Sequence, residues 1–294
     1  MKIKRSTGDY IFDFINVIIM LVLVIITLYP LLYVLFVSFS VPGEYMRFGG
    51  NFLWHPLGFS LASYEEVFGN PNIWTGYRNT LFIVAVGLVF NIVFTIAGAY
   101  VLSRPQLMLR RFLSLFTLFT MYFSGGMIPE YLNVRNLGLA GSIWSLILPV
   151  AVNTFNLIIM RTAFEGVPQS LEESAKIDGA SQLTILVKIM IPLVVPTIAV
   201  LVLYYGVSHW NSWFNALIYI RKRELYPLQL ILREMIIQNS AAASMDLSAA
   251  DDNAMISETI KYATIVVATV PILCLYPFLQ RFFVKGIMVG AVKG

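Results

Sequence analysis

Six stretches of the chain carry no Asp, Glu, Lys or Arg: 14–43, 79–103, 112–129, 136–160, 189–220 and 262–280. Each reaches the roughly 17 to 25 residues a helix needs to cross a bilayer. An ionised group at the bilayer centre costs at least about 2.5 kcal/mol, so uncharged runs of this length mark crossings. The pattern predicts an all-α membrane protein with six transmembrane helices, over about 14–39, 79–103, 112–129, 138–160, 190–217 and 260–280. A seventh uncharged segment, 48–64, is set aside because Gly49, Gly50, Asn51, His55, Pro56 and Gly58 interrupt it. The first run is too long for the apolar core of a signal peptide and lacks a small-residue cleavage site, so it reads as a retained first span.

With six crossings both termini share one side, and the bias of Lys and Arg decides which. With the termini in the cytoplasm, the inner segments hold Lys2, Lys4, Arg5, Arg104, Arg110, Arg111, Arg161, Lys176, Lys188, Arg281, Lys285 and Lys293 against six carboxylates. The outer segments then hold eight cations and ten carboxylates. This divides the chain into a cytoplasmic N-terminal segment 1–13, a six-helix transmembrane domain 14–283 and a cytoplasmic tail 284–294. Two outer loops, 44–78 and 221–258, and one inner loop, 161–188, are long enough to carry function.

Composition agrees with the pattern. Of 294 residues 58% are hydrophobic and 12% charged, about half the charge of a soluble domain. The net charge of +4 is accounted for by topology, so nucleic acid is not an expected partner. One cysteine, Cys274, excludes an internal disulfide, and with two histidines it argues against a zinc site. No carboxylate or cation lies at mid-membrane depth, which disfavours ion-coupled carriers, since these use such groups as relays. No HExxH or intramembrane aspartate pair points to an enzyme, and no Gly-Lys dipeptide provides a phosphate-binding loop. Any nucleotide must be bound by another polypeptide.

The inner loop has a definite local grammar. Ser170 followed by Glu173 forms a capping box, with Pro168 just upstream, and predicts a helix starting at Leu171. Gly179 supplies a stop, and Ser181 can cap a second helix running past Pro192 and Pro196 into the membrane. Ser174, Ala175, Gly179 and Ala180 keep the element slim enough for another protein to approach. Glu172, Glu173 and Asp178 offer it carboxylates. An interfacial helix lying in headgroups is the other reading of this loop, although such helices favour Lys and Arg.

The run Glu173-Ser-Ala, three residues, Gly179, nine residues, then Ile189-x-Ile191-Pro192 resembles the EAA loop of permease subunits of bacterial ATP-binding-cassette (ABC) importers. Ser174 replaces the usual second Ala, and Ile191 the usual Leu. The stretch 128–149 and the end of the chain, 280–294, are similar to the maltose-type carbohydrate-uptake permeases. The segment 123–132 resembles the subgroup for oligosaccharides from complex polysaccharides, including uronate-containing ones, though an anionic cargo should leave basic groups in the path. The resemblance implies a type I ABC importer permease fold in the bacterial plasma (inner) membrane. It implies a second homologous permease, a cytoplasmic ATPase dimer and an extracytoplasmic sugar-binding protein as partners. ATP and Mg would reside on the ATPase, with no cofactor on this chain. By position, Glu172, Glu173, Ala175 and Gly179 would be the ATPase-coupling residues, and the tail with Gly290, Lys293 and Gly294 would reach the ATPase dimer. Alternating access would move a sugar delivered by the binding protein. The alternatives are a permease of this fold with a non-sugar cargo, or an ion-coupled carrier.

For the path itself, Tyr204, Ser208, Asn211 and Asn215 recur along one helical face of the fifth run. Their amides and hydroxyls suit sugar hydroxyls, and Trp210 or Trp213 could stack on a pyranose face. Asn153 and Asn156, with Asn91 and Thr95, are further candidates. The other reading is structural: Trp as interfacial anchor, Asn as packing glue between helices, and His209 as a hydrogen-bonded bundle residue. Ser124-Gly125-Gly126 before Pro129 predicts either a kink or the end of the third helix.

Overall fold

The computed structural model describes residues 7–50, 52–245, 258–274 and 277, and its regular structure there is helical. It separates into two compact units: 1–70 with 234–269, and 71–233 with 270–294.

The first unit is built on α1 (Thr7–Ser38), a 32-residue helix about 48 Å long at 1.5 Å per residue, enough to cross the roughly 30 Å apolar core. Its apolar side chains are exposed from Tyr10 to Leu31. Val37, near its end, is fully buried and packs with Tyr45 of α2 (Pro42–Phe48) and with Leu53. Within the uncharged segment 48–64, residues 52–61 form an irregular loop between α2 and α3. It is pinned where Val41 N donates to Leu57 O (2.9 Å), Ser60 N to Phe39 O (2.9 Å) and Leu57 N to Ser40 Oγ (3.0 Å). It leads into α3 (Ala62–Gly69), where Ser63 Oγ donates to Thr259 Oγ1 at 2.8 Å.

The second unit surrounds α4 (Pro71–Ser103). This helix begins before the first uncharged residue of its span, so it projects into the predicted outer loop. Asn79, Ile83, Gly87, Asn91, Thr95 and Ala99 recur every four residues and are all buried. That stripe of small and polar residues packs chiefly against α7 (Thr154–Glu165) and α11 (Val195–Trp210).

The remaining runs do not fold as straight spans. The third divides into α5 (Arg110–Tyr122) and α6 (Met127–Asn136), bent by 113° across the Ser-Gly-Gly segment. Only 154–160 of the expected 138–160 span is α-helical, as the start of α7 (Thr154–Glu165); before it lie a 3₁₀ turn at Ile143–Leu146 and an irregular stretch. Apolarity alone does not distinguish such a segment from a helix. The fifth comprises α9 (Gln182–Ile185), a π-helical turn (Leu186–Met190) and α10 (Ile191–Leu193), then bends by 82° at Val194 into α11. Pro196 has no N–H to donate to the carbonyl four residues earlier, and its ring crowds that carbonyl, which places the bend. After α11 come α12 (Trp213–Tyr219) and α13 (Leu228–Met245), the latter inside the predicted outer loop 221–258.

Among the described residues, then, two straight helices are long and apolar enough to cross a membrane, and each bent pair adds one candidate. The sixth predicted span, 260–280, is helical over 260–274 and at 277, and its other residues lie outside the described ones. So does the tail with Gly290, Lys293 and Gly294.

Candidate functional site

Two places in the second unit gather the residues singled out by sequence. The first is the inner loop. Helix α8 (Gln169–Ile177) starts two residues earlier than the capping box implies, because Pro168 occupies the N-cap and Ser170 lies within the first turn without capping it. The C-terminal end follows expectation. Gly179 adopts φ +79°, Gly179 N donates to Lys176 O (3.0 Å) and Ala180 N to Ala175 O (2.9 Å). These paired bonds close a helix whose next residue must be left-handed, a conformation glycine takes cheaply. Ser181 Oγ then accepts from Thr184 N at 3.2 Å, capping α9 as expected.

The four expected coupling residues divide between the two faces of this element. Glu173 and Gly179 face outward with Ile177, which is 87% exposed, and Leu183. Glu172 and Ala175 face inward and are buried. Glu172 pairs with Arg104, just beyond α4, and with Lys176 Nζ at 2.9 Å. The Arg104 guanidinium also lies 4.5 Å from the centre of the Tyr100 ring and donates to Ser103 Oγ from Nε (3.1 Å) and Nη2 (2.9 Å). Nearby, Glu165 pairs with Arg110 and with Arg161 (2.9 Å). Arg104, Arg110, Arg161 and Lys176, all expected on the inner face, thus serve local ion pairs.

The second place is a cavity of about 820 Å³ lined by Tyr204, Ser208, Asn211, Asn153 and Asn156, together with Tyr205 and His209. This lies within the roughly 300–1,000 Å³ typical of small-molecule sites. Among the described residues, no Asp, Glu, Lys or Arg contributes to its wall. Asn215 lines a smaller neighbouring cavity of about 220 Å³, whose wall shares Ser208, His209 and Asn211. Neither tryptophan reaches either cavity. Trp210 is buried with its ring edge-on to Tyr77 (centroids 6.3 Å apart), and Trp213 lies under the Arg233 guanidinium at 3.8 Å. Both rings thus pack against other side chains outside the two cavities.

Asn91 and Thr95 build the wall from behind. Asn91 is fully buried, and its Nδ2 donates to Val150 O (2.8 Å) and Ala151 O (3.0 Å). With both amide hydrogens committed, its Oδ1 accepts from His209 Nε2 at 2.7 Å, which assigns the imidazole tautomer from the network. The ring fits because Gly87 leaves it room: a Cβ there would stand 2.4 Å from His209 Nε2. Thr95 Oγ1 bonds the Tyr205 hydroxyl (2.8 Å), which also accepts from Asn153 N (3.0 Å). Asn153 Oδ1 in turn caps α7 by accepting from Asn156 N at 3.1 Å. Irregular backbone at membrane depth persists only where such partners satisfy it. Tyr205 and Arg104 were not singled out by sequence. Tyr205 and His209, spaced i and i+4, share a face that the polar-residue criterion for Tyr204 and Ser208 passed over.

Comparison with known proteins adds independent support. LplC of Bacillus subtilis (strain 168) is 40% identical over 295 residues, covering 99% of this chain and 97% of its own. The polygalacturonan/rhamnogalacturonan transport system permease protein YtcP of the same organism is 40% identical over 275 residues, covering 94% and 96%. A chain from the crystal structure of a bacterial ABC transporter involved in the import of the acidic polysaccharide alginate superposes with a TM-score of 0.85 at 34% identity, over 96% of this chain and 100% of that one. A chain from a bacterial alginate ABC transporter in complex with an alginate pentasaccharide-bound periplasmic protein shares the fold, with a TM-score of 0.58 at 16% identity. Residues 107–289 match the family described as binding-protein-dependent transport system inner membrane component, and the chain belongs to that family.

Proposed function

We propose that this chain is a translocating subunit of an ABC importer for oligosaccharides derived from complex polysaccharides. Six crossings with both termini in the cytoplasm, a second permease, an ATPase dimer and an extracytoplasmic binding protein complete the assembly. Helix α8 and the turn at Gly179 dock on the ATPase through their outward face, Glu173, Gly179, Ile177 and Leu183. The exposed Ile177 favours protein docking here, and the tail at 290–294 supplements it. ATP-driven closure then moves the helices around the cavity, which receives sugar from the binding protein and releases it inward.

The observation that carries the cargo reading is the 820 Å³ cavity walled by hydroxyls, amides and apolar side chains, beside relatives named for polygalacturonan and alginate. Tyr204, Ser208, Asn211, Asn153 and Asn156 would meet sugar hydroxyls, with Asn215 at the adjoining cavity. The amides and hydroxyls that the described residues place in the wall suit hydroxyl recognition, leaving any uronate carboxylate to be selected by the binding protein.

Asn211→Ala should weaken uptake by about tenfold or less, the worth of one neutral hydrogen bond. Ser208→Trp, which fills the cavity, should reduce it further. Uptake of labelled oligogalacturonides and neutral oligosaccharides by proteoliposomes containing the complete transporter measures both. Wild-type uptake of every cargo by both variants would remove this cavity from the path.

A further inference from the structure

The inward face of the helix-turn-helix is held from one side by a single helix end. Tyr100 and Arg104 lie one helical turn apart, at the last turn of α4 and just beyond it. Arg104 pairs with Glu172 of α8, before the Gly179 turn. Tyr100 donates its hydroxyl to Gln182 Oε1 of α9, after that turn, at 2.8 Å. The two contacts brace each other, since the guanidinium lies over the Tyr100 ring and Ser103 Oγ accepts from it. Tyr100, Ser103 and Glu172 are all buried.

The same helix carries the cavity's supports. Asn91, two to three turns back along α4, holds His209 and the carbonyls of 150 and 151, and Thr95 holds Tyr205. A continuous helix held at its last turn and again at Asn91 and Thr95 by buried polar contacts moves as one body. Breaking a buried ion pair leaves an uncompensated charge, so the grip should persist as the element moves.

We propose that Tyr100 and Arg104 are positioning residues that clamp both sides of the Gly179 turn onto α4, making α4 the rod that carries movement of this element to the cavity wall. The inference rests on the docking role proposed for α8. It adds a specific route: energy reaches the cavity through α4, and loosening the clamp separates ATP hydrolysis from transport without removing any group from the ATPase-facing surface or the cavity.

The test uses the complete transporter in proteoliposomes, with ATP hydrolysis and oligosaccharide uptake measured on the same sample. Arg104→Gln should lower sugar transported per ATP by about tenfold, within the usual range of site-to-site coupling, and should abolish stimulation of hydrolysis by the loaded binding protein, while basal hydrolysis continues. Arg104→Lys should recover part of the coupling, because an ammonium can pair with Glu172 but lacks the planar fork that stacks on Tyr100 and reaches Ser103. Tyr100→Phe, which removes only the bond to Gln182, should give a smaller loss of the same kind.

Wild-type coupling in Arg104→Gln and Tyr100→Phe would overturn the proposal. Should Arg104→Gln fail to assemble, the exchange Arg104→Glu with Glu172→Arg decides: recovered assembly and uptake support the clamp, and failure to recover them overturns it. Gly179→Asp separates the two readings. If it transports normally, the docking role of α8 fails; if it is inactive while Arg104→Gln is fully coupled, the clamp alone fails.

Discussion

Gly179→Asp is expected to reduce oligosaccharide uptake by well over tenfold, the scale of a lost site-to-site coupling, while leaving normal amounts of the chain in the membrane. Two costs can be separated. At φ +79° an L-residue pays about 1–2 kcal/mol, and Asp pays less than most because it tolerates the left-handed region. Sterically the chain itself offers no obstacle, since a Cβ at Gly179 meets nothing within 4 Å. A large loss of function must then arise from whatever docks against this turn, where the added carboxylate meets it. Gly179→Ala supplies the backbone cost alone and should retain much of its uptake; Gly179→Asn matches Asp in size without the charge. Uptake by membrane vesicles, normalised to immunoblotted permease, ranks the three. Equal uptake by the Asp variant and the wild type would refute docking at this turn.

Asn91→Leu should produce the largest loss of stability among single substitutions in the second unit. The exchange keeps the branched outline, with bulkier methyls in place of the amide, but removes three buried hydrogen bonds, leaving the carbonyls of 150 and 151 and the His209 N–H without Asn91 as partner. Each orphaned group costs about 1–3 kcal/mol, with no water in the bilayer core to relieve it. Gly87→Ala attacks the same knot from another direction, because its methyl would overlap the imidazole and overpacking of this kind costs about 1–3 kcal/mol. In detergent, the temperature at which the monodisperse peak collapses should fall steeply for Asn91→Leu and less for Gly87→Ala. A wild-type profile for Asn91→Leu would show that the irregular segment is held by other means.

How far the sequence reveals this architecture depends on where each element finds its hydrogen bonds. Helices α1 and α4 are legible because an uncharged run covers most of each and their backbone bonds close within the helix itself. The cap at Ser181 and the stop at Gly179 are legible for the same reason: their partners lie within a few residues. The irregular stretch before α7 is not, because the amide that satisfies it belongs to Asn91, about sixty residues earlier. The bend at Val194 stands between, since the prolines are visible but the change of direction depends on packing. Tyr204, Ser208, Asn211, Asn153 and Asn156, which line one cavity, stand out in the sequence because polar residues in apolar runs are scarce. The surroundings of the tryptophans are not legible, because their rings are equally useful for packing, and the partners they meet, Tyr77 and Arg233, are distant in sequence. Glu172 and Ala175 belong to a motif read as a surface, while the helix turns them inward.

The Asn91 contact also bears on the order in which the chain can enter the bilayer. Chains are made from the N-terminus, and earlier elements fold first. Helix α4 is complete in itself and can wait in lipid unsupported. When the stretch before α7 follows, the amide that will take its carbonyls is already present, so these groups need never face hydrocarbon alone. His209 arrives last and closes the knot on a partner that is already committed. A circular permutant opened after α4 would reverse this sequence, delivering bare carbonyls before their donor, and should stall at insertion even though its finished fold would contain the same contacts.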